Sequence, residues 1–290
     1  MPGKAKPELL LDPAWSPPRA LRHVVRFCLA QMRAHVPGVL EADESRPVHR
    51  SRVALRRMRS ALRLMRRAER APPGLKSELR WLADALGEAR NWDVLTDDTL
   101  PAILRAGGAS PSLARLARAA QRRRATAHAE ARDALSSPRY RALVAALERW
   151  LRDPLAPPER PVALRDFAAK RIGKRHKRLL RAARDLAGQN EEERHQLRID
   201  AKRLRYAAEF FSSLYPRPAA RRYIRSLVAM QDALGAINDA ATAARLLEPL
   251  RPTAAFARWL RGWRVERERR GIALAARAAA GLERRKRFWE

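Results

Sequence analysis

Between Val48 and Met65 the chain carries a pattern that only a helix can use. From His49, basic residues follow at +3, +7, +10 and +14: Arg52, Arg56, Arg59 and Arg63. At about 100° per residue, these five side chains fall within roughly 80° of one another. Leu55, Met58, Leu62 and Met65 repeat with the same spacing on the opposite side. One helix therefore has an oily stripe and, across from it, a line of cations. A surface helix ordinarily mixes charge signs on its wet face to gain i,i+4 pairs. Here no acid occurs from Val48 until Glu69.

The pattern returns in the second half. His195 is followed by Arg198, Lys202, Arg203 and Arg205, while Ala201, Leu204, Ala208 and Phe211 repeat the apolar offsets of the first copy. Asp84-Ala85-Leu86-Gly87 likewise returns as Asp232-Ala233-Leu234-Gly235 at nearly the same offset. Two matches sharing nearly one offset point to an internal duplication.

Charge narrows the partners. Lys and Arg total 62 against 31 Asp and Glu, a formal net charge of +31 over 290 residues. Such self-repulsion favours a polyanion, whether nucleic acid, anionic membrane or phosphate polymer. Hydrophobic residues make up 46% of the chain, enough for a core, which argues against wholesale disorder. Cys28 stands alone, so no intramolecular disulfide forms, and it reads as a small core hydrophobe. No apolar run approaches the ~20 residues of a membrane span, and the N-terminus does not read as a signal peptide. The expected location is the cytoplasm, with no membrane partner.

No stretch alternates with period two for long enough to be a strand, so the fold class expected is all-α. Residues 1–18, with five prolines, read as a disordered or extended arm. Residues 19–152 form a first helical unit. The segment 153–161, with Pro154, Pro157, Pro158 and Pro161, is a linker, and 162–290 form a second unit. Within these, helices are expected over about 19–35, 47–71, 75–90, 92–106, 111–135 and 138–151. In the second unit they are expected over about 162–187, 191–214 and 218–236, then a short one capped by Asn238-Asp239, and a long stretch from Pro252. Lys170, Lys174 and Arg181 repeat the spacing of Arg22, Arg26 and Arg33.

The segments Val48–Arg59 and His195–Tyr206, with the two Asp-Ala-Leu-Gly repeats, resemble the conserved histidine α-helical domain family, CHAD. The resemblance covers about residues 15–290. It implies two four-helix bundles related by an internal pseudo-twofold duplication, with basic side chains lining the groove between them. It also implies inorganic polyphosphate as ligand and association with polyphosphate granules and their enzymes. The family often shows Arg-Asp-x-Asp after the first Leu-Gly; this chain has Arg90-Asn91-Trp92-Asp93, so Asn91 replaces the first carboxylate.

Polyphosphate is a flexible row of anions with no bases to read. A receptor needs a track of fixed cations, and guanidinium suits phosphate because its fork bonds two oxygens at once. The expected polyphosphate-binding set is His49, Arg52, Arg56, Arg57, Arg59 and Arg63 on the first basic helix. On the second it is His195, Arg198, Lys202, Arg203 and Arg205, with Arg22, Arg26, Lys170 and Lys174 from the helices preceding them. The first row is about 21 Å long at 1.5 Å per residue. The histidines have three readings: donors to phosphate, buried groups satisfied by Asp84 or Asp232, or metal ligands or phosphoryl acceptors. Cationic helical neighbours disfavour a metal.

Asp84, Asp232 and Asp239 read as residues that orient arginines or cap helices. A phosphotransfer enzyme needs clustered acids for magnesium or a glycine-rich phosphate loop, and neither is evident. The expectation is thus a binding module with no catalytic residues, metal or cofactor. Trp81, Trp150, Trp259 and Trp263 read as core anchors. With no helix-turn-helix cue and no aromatic interleaving on the basic helices, nucleic acid is expected only as a nonspecific competitor.

Overall fold

A computed structural model describes residues 8–107, 111–156 and 161–290. Every regular element among the described residues is helical. The long helices come in two sets. The first contains α1 (Pro17–Arg33), α2 (Val36–Glu41), α3 (Ser45–Leu64), α4 (Leu75–Asp93), α5 (Leu100–Gly107), α6 (Pro111–Ser136) and α7 (Pro138–Arg152). The second contains α8 (Leu164–Ala182), α9 (Glu191–Phe211), α10 (Arg217–Leu247) and α11 (Ala254–Glu283). In the first set α1 packs on α3, α3 on α4 and α4 on α6. In the second, α8 packs on α9, α9 on α10 and α10 on α11. The two basic helices, α3 and α9, touch each other across the sets, joined by contacts of α1 with α8.

The apolar stripes do what their spacing predicts. Leu55, Met58, Leu62 and Met65 are buried on α3, as are Ala201, Leu204, Ala208 and Phe211 on α9. On α9 Tyr206, Ala207 and Phe210 are buried as well, so this helix is covered on more than one side. Ser16 and Ser137 accept from the backbone N–H groups of Arg19 and Tyr140 to start α1 and α7. Asn190 and Glu193 form a reciprocal capping box at α9, whose first turn also holds Glu191 and Glu192 against the positive end of the helix dipole. Cys28 lies in the core, where burial pushes its thiol up to about 12.

Several boundaries differ from the expected ones, for physical reasons. The N-terminal arm is anchored from Leu9: Leu9 and Leu11 are buried, and the Leu11 N–H donates to Ser213 Oγ at 2.9 Å. Residues 1–7 of that arm, and 157–160 of the expected linker, lie outside the described residues. The first basic helix stops at Leu64 instead of continuing to Ala71. Beyond it, Glu69 is drawn into a partly buried pair, accepting from Arg22 Nη2 at 2.6 Å and Trp150 Nε1 at 2.9 Å. Helix α10 runs unbroken through Asn238-Asp239. Its buried row Leu227, Met230, Leu234 continues as Ala240, Ala243 and Leu247, and that burial outweighs the local preference of Asn and Asp for caps. Asn238 Nδ2 turns instead to Thr242 Oγ1, one turn on, at 3.5 Å.

Asp93 gives the altered Arg90–Asp93 segment its anchor. Its side chain is fully buried and accepts from Arg124 Nε at 2.8 Å, with His128 Nε2 at 2.7 Å from the same oxygen. His128 is itself fully buried, with Nδ1 3.8 Å from Asp43 Oδ1. The cluster ties the end of α4 and the loop before α3 to the middle of α6. Immediately after Asp93 the chain widens into a π-helical turn, Val94–Thr99, which passes directly into α5.

Candidate functional site

Where α3 and α9 meet, with α8 alongside, the chain leaves a cavity of about 250 Å³. Six cations line it: Arg56, Arg59 and Arg63 from α3, Arg175 from α8, and Lys202 and Arg203 from α9. Ser60, Leu64, Ile199, Tyr206 and Phe210 complete the wall, which contains no acid. Arg59 and Arg63 also border a second cavity, of about 340 Å³, with Arg66, Lys76, Ser77 and Arg80. A cationic surface therefore continues around α3 from the α9 side to the α4 side.

Half-burial of so many like charges perturbs them. Burial, followed by Arg198 and Arg56, pushes the Lys202 ammonium down to about 7, with Asp239 opposing. Burial, Arg171 and Arg203 push Arg175 down to about 10 against Asp200. Burial is also the first cause lowering Arg59, Arg63 and Arg198. Arg56, Arg59, Arg63, Arg198 and Lys202 make no hydrogen bond or ion pair among the described residues. The Nε groups of Arg56 and Arg198 are buried and unpartnered. These are donors held in place by packing, with no internal acceptor.

Other members of the expected set are already engaged. Arg57 Nη1 pairs with Glu209 Oε2 at 2.7 Å across the α3–α9 seam, and Arg205 pairs with the same carboxylate at 3.3 Å. Arg203 lines the cavity but also bonds Asp200 at 3.1 Å, an acid that takes Arg178 at 2.7 Å. Arg52 Nη1 donates to the Ala83 carbonyl on α4 at 2.7 Å. Gly87 makes that reach feasible, because a Cβ there would lie 2.7 Å from Arg52 Nη1. Burial, Arg56 and Arg90 hold Arg52 down to about 10, opposed by Asp84. At Gly235, in the second Asp-Ala-Leu-Gly copy, an added Cβ meets nothing within 4 Å.

The two histidines take different positions. His49 is exposed near the α3 cation row; desolvation first, then Arg90, Arg56, Arg52 and Arg50, lower its pKa. His195 is exposed beside Arg198 and Asn238, facing cavities between α9, α10 and α11. Neither lines the six-cation cavity. Arg22 and Arg26 also lie apart from it. Arg22 is committed to Glu69 and the Asp153 carbonyl, and Arg26 Nη2 donates to the Leu151 carbonyl at 3.0 Å.

On α8 the residues facing the seam are not Lys170 and Lys174, which are exposed, but Arg171 and Arg175. The buried row Leu164, Ala168, Ile172, Leu179 was the signal that could have set this phase. Arg171 and Arg175 sit directly beside that row, whereas matching Lys170 and Lys174 to Arg22 and Arg26 by spacing ignored it. Arg171 stacks on Phe167, its guanidinium carbon 4.8 Å from the ring centroid. Among the described residues no three His, Cys, Asp or Glu side chains converge as a metal site, and no helix is long and apolar enough to cross a membrane.

A solved CHAD domain from the plant Ricinus communis is similar, with a TM-score of 0.84 and 30% identity, over 98% of this chain and 99% of that one. PptA from Streptomyces chartreusis has a similar fold, with a TM-score of 0.68 and 19% identity, over 93% of this chain and 99% of that one. No curated protein sequence matches. The family model described as CHAD domain matches residues 23–248, and with that match and the Ricinus structure the chain belongs to the CHAD domain family.

Proposed function

We propose that this protein binds inorganic polyphosphate in the cleft between α3 and α9, as a non-enzymatic module that docks onto polyphosphate granules in the cytoplasm. One observation carries the reading. A cavity lined by Arg56, Arg59, Arg63, Arg175, Lys202 and Arg203 has no acid in its wall, and only Arg203 of the six forms an ion pair among the described residues. Internal ion pairs would have served stability; unpaired guanidinium forks serve an external anion. The two aromatic residues of the wall, Tyr206 and Phe210, are buried and covered by Arg56, Arg205 and Arg57, so they offer no open face for stacking bases and nucleic acid competes only through its phosphates.

The test is binding of size-fractionated polyphosphate across a salt series, with duplex DNA as competitor at equal phosphate concentration. By analogy with single-stranded nucleic acid, six neutralised phosphates give a log–log slope of about −4. The quadruple variant R56A/R59A/R175A/K202A should lose most of that slope while keeping its helicity. An unchanged slope in that variant places the ligand elsewhere. DNA displacing polyphosphate at parity makes it a general nucleic-acid binder. Phosphate release in the presence of magnesium refutes the non-enzymatic part, and a diffuse signal in granule-bearing cells refutes docking.

A further inference from the structure

Tyr206 stands out within the cleft. Its side chain is 2% exposed, it lines the six-cation cavity, and its hydroxyl is buried without a hydrogen-bond partner. Two guanidinium groups lie against its ring, Arg56 with its central carbon 5.8 Å from the centroid and Arg205 at 5.4 Å. The Nε of Arg56 is also buried and unpartnered, whereas that of Arg205 lies 3.3 Å from Glu209 Oε1.

A buried hydroxyl without a partner is unfavourable by the full desolvation of the group, and natural cores rarely keep one. Phenylalanine would fill the same volume without that penalty. The surroundings explain why the hydroxyl stays unsatisfied. The polar groups of the wall are arginine and lysine N–H donors, apart from the Ser60 hydroxyl, which does not bond it. The hydroxyl proton therefore has no internal acceptor. An acceptor has to arrive with the ligand, and a nonbridging phosphate oxygen is one.

We propose that Tyr206 is a ligand-contacting residue of this cleft, its hydroxyl donating a hydrogen bond to a phosphate oxygen as a neutral anchor among the cations. The proposal rests on the polyphosphate reading given above. In the structure the hydroxyl is closed off. Contact follows when Arg56 leaves the ring and turns its fork to the anion. A neutral donor differs from its cationic neighbours in one measurable respect: it adds affinity without releasing counter-ions.

Tyr206→Phe should weaken polyphosphate binding about tenfold to a hundredfold, the range for a hydrogen bond to a charged acceptor. Its salt slope should equal that of the unmodified protein, and its melting temperature should be equal or higher. Polyphosphate should also produce a tyrosine ultraviolet difference band that Tyr206→Phe lacks. If the unmodified protein binds but Tyr206→Phe binds equally well, or loses affinity through a changed slope, the anchor is refuted while the polyphosphate reading stands. If the unmodified protein shows no binding, both fall together.

Discussion

Gly87 and Gly235 occupy matching places in the two Asp-Ala-Leu-Gly segments, yet their surroundings predict opposite responses to alanine. Each lies within a long helix, where Gly→Ala stabilises by about 0.5–1 kcal/mol through lost backbone entropy in the unfolded chain. At Gly235 nothing lies within 4 Å of the added Cβ, so that gain should appear almost undiminished. At Gly87 the Cβ would stand 2.7 Å from Arg52 Nη1, and the guanidinium must withdraw. It then gives up its hydrogen bond to the Ala83 carbonyl. A bond involving a charged donor contributes about 1.5–3 kcal/mol, so the net change at Gly87 is about 1–2 kcal/mol of destabilisation. At about 2–4 °C per kcal/mol for a chain of this order of size, Gly87→Ala should lower the melting temperature by about 2–8 °C. Gly235→Ala should raise it by about 1–4 °C. Thermal melts followed by circular dichroism read both. If the two variants shift in the same direction, Arg52 is not held by this carbonyl and the account of Gly87 is wrong.

Two further outcomes follow from the charges. Lys202 sits near neutral, at about 7, and an anion favours its ammonium form. Binding should therefore take up a proton above pH ~7, with affinity full below that value and declining above it; calorimetry in two buffers of different ionisation enthalpy measures the uptake. In the empty protein the sign reverses. The unfolded lysine keeps its proton up to the usual 10.5, so this group's contribution to stability rises with pH above about 7. Lys202→Arg should abolish both effects, and persistence of either assigns it to another group. Asp93→Ala leaves His128 and Arg124 without their buried acceptor. It should destabilise the fold by about 3–5 kcal/mol in urea titration, and a loss below about 1 kcal/mol would show that the cluster supports little.

Periodicity made α3 and α9 legible because each helix buries one continuous apolar stripe; that α9 is covered on further sides, at Tyr206, Ala207 and Phe210, did not show in that spacing. At Lys170 and Lys174 periodicity says less. There the spacing matched an earlier segment, but the buried row through Ala168 and Ile172 turns Arg171 and Arg175 toward the seam. Pair partners were invisible for a different reason. Glu209 lies outside the two basic motifs, and its hold on Arg57 exists only because α3 crosses α9. Asp200 sits inside the second motif, where helical spacing places it within reach of Arg203, three residues on. Its bond to Arg178 depends on how α8 packs. Tyr206 carried no local signal at all, since the orphan state of a hydroxyl is a property of its finished surroundings.

The α3–α9 cleft has a consequence for the fold itself. Arg56, Arg59, Arg63 and Lys202 form no ion pair among the described residues; Asp84 and Asp239 act on Arg59 and Lys202 only through space, and Arg56 rests against the Tyr206 ring. Like charges therefore crowd the central seam with little internal neutralisation. On the proposed reading, a polyvalent anion entering there acts as a structural counter-ion, and occupancy and folding become one linked equilibrium. At a ligand concentration of 100 Kd that linkage adds about 2.7 kcal/mol to stability. By that proposal, a chain built this way is at its firmest while it holds its guest.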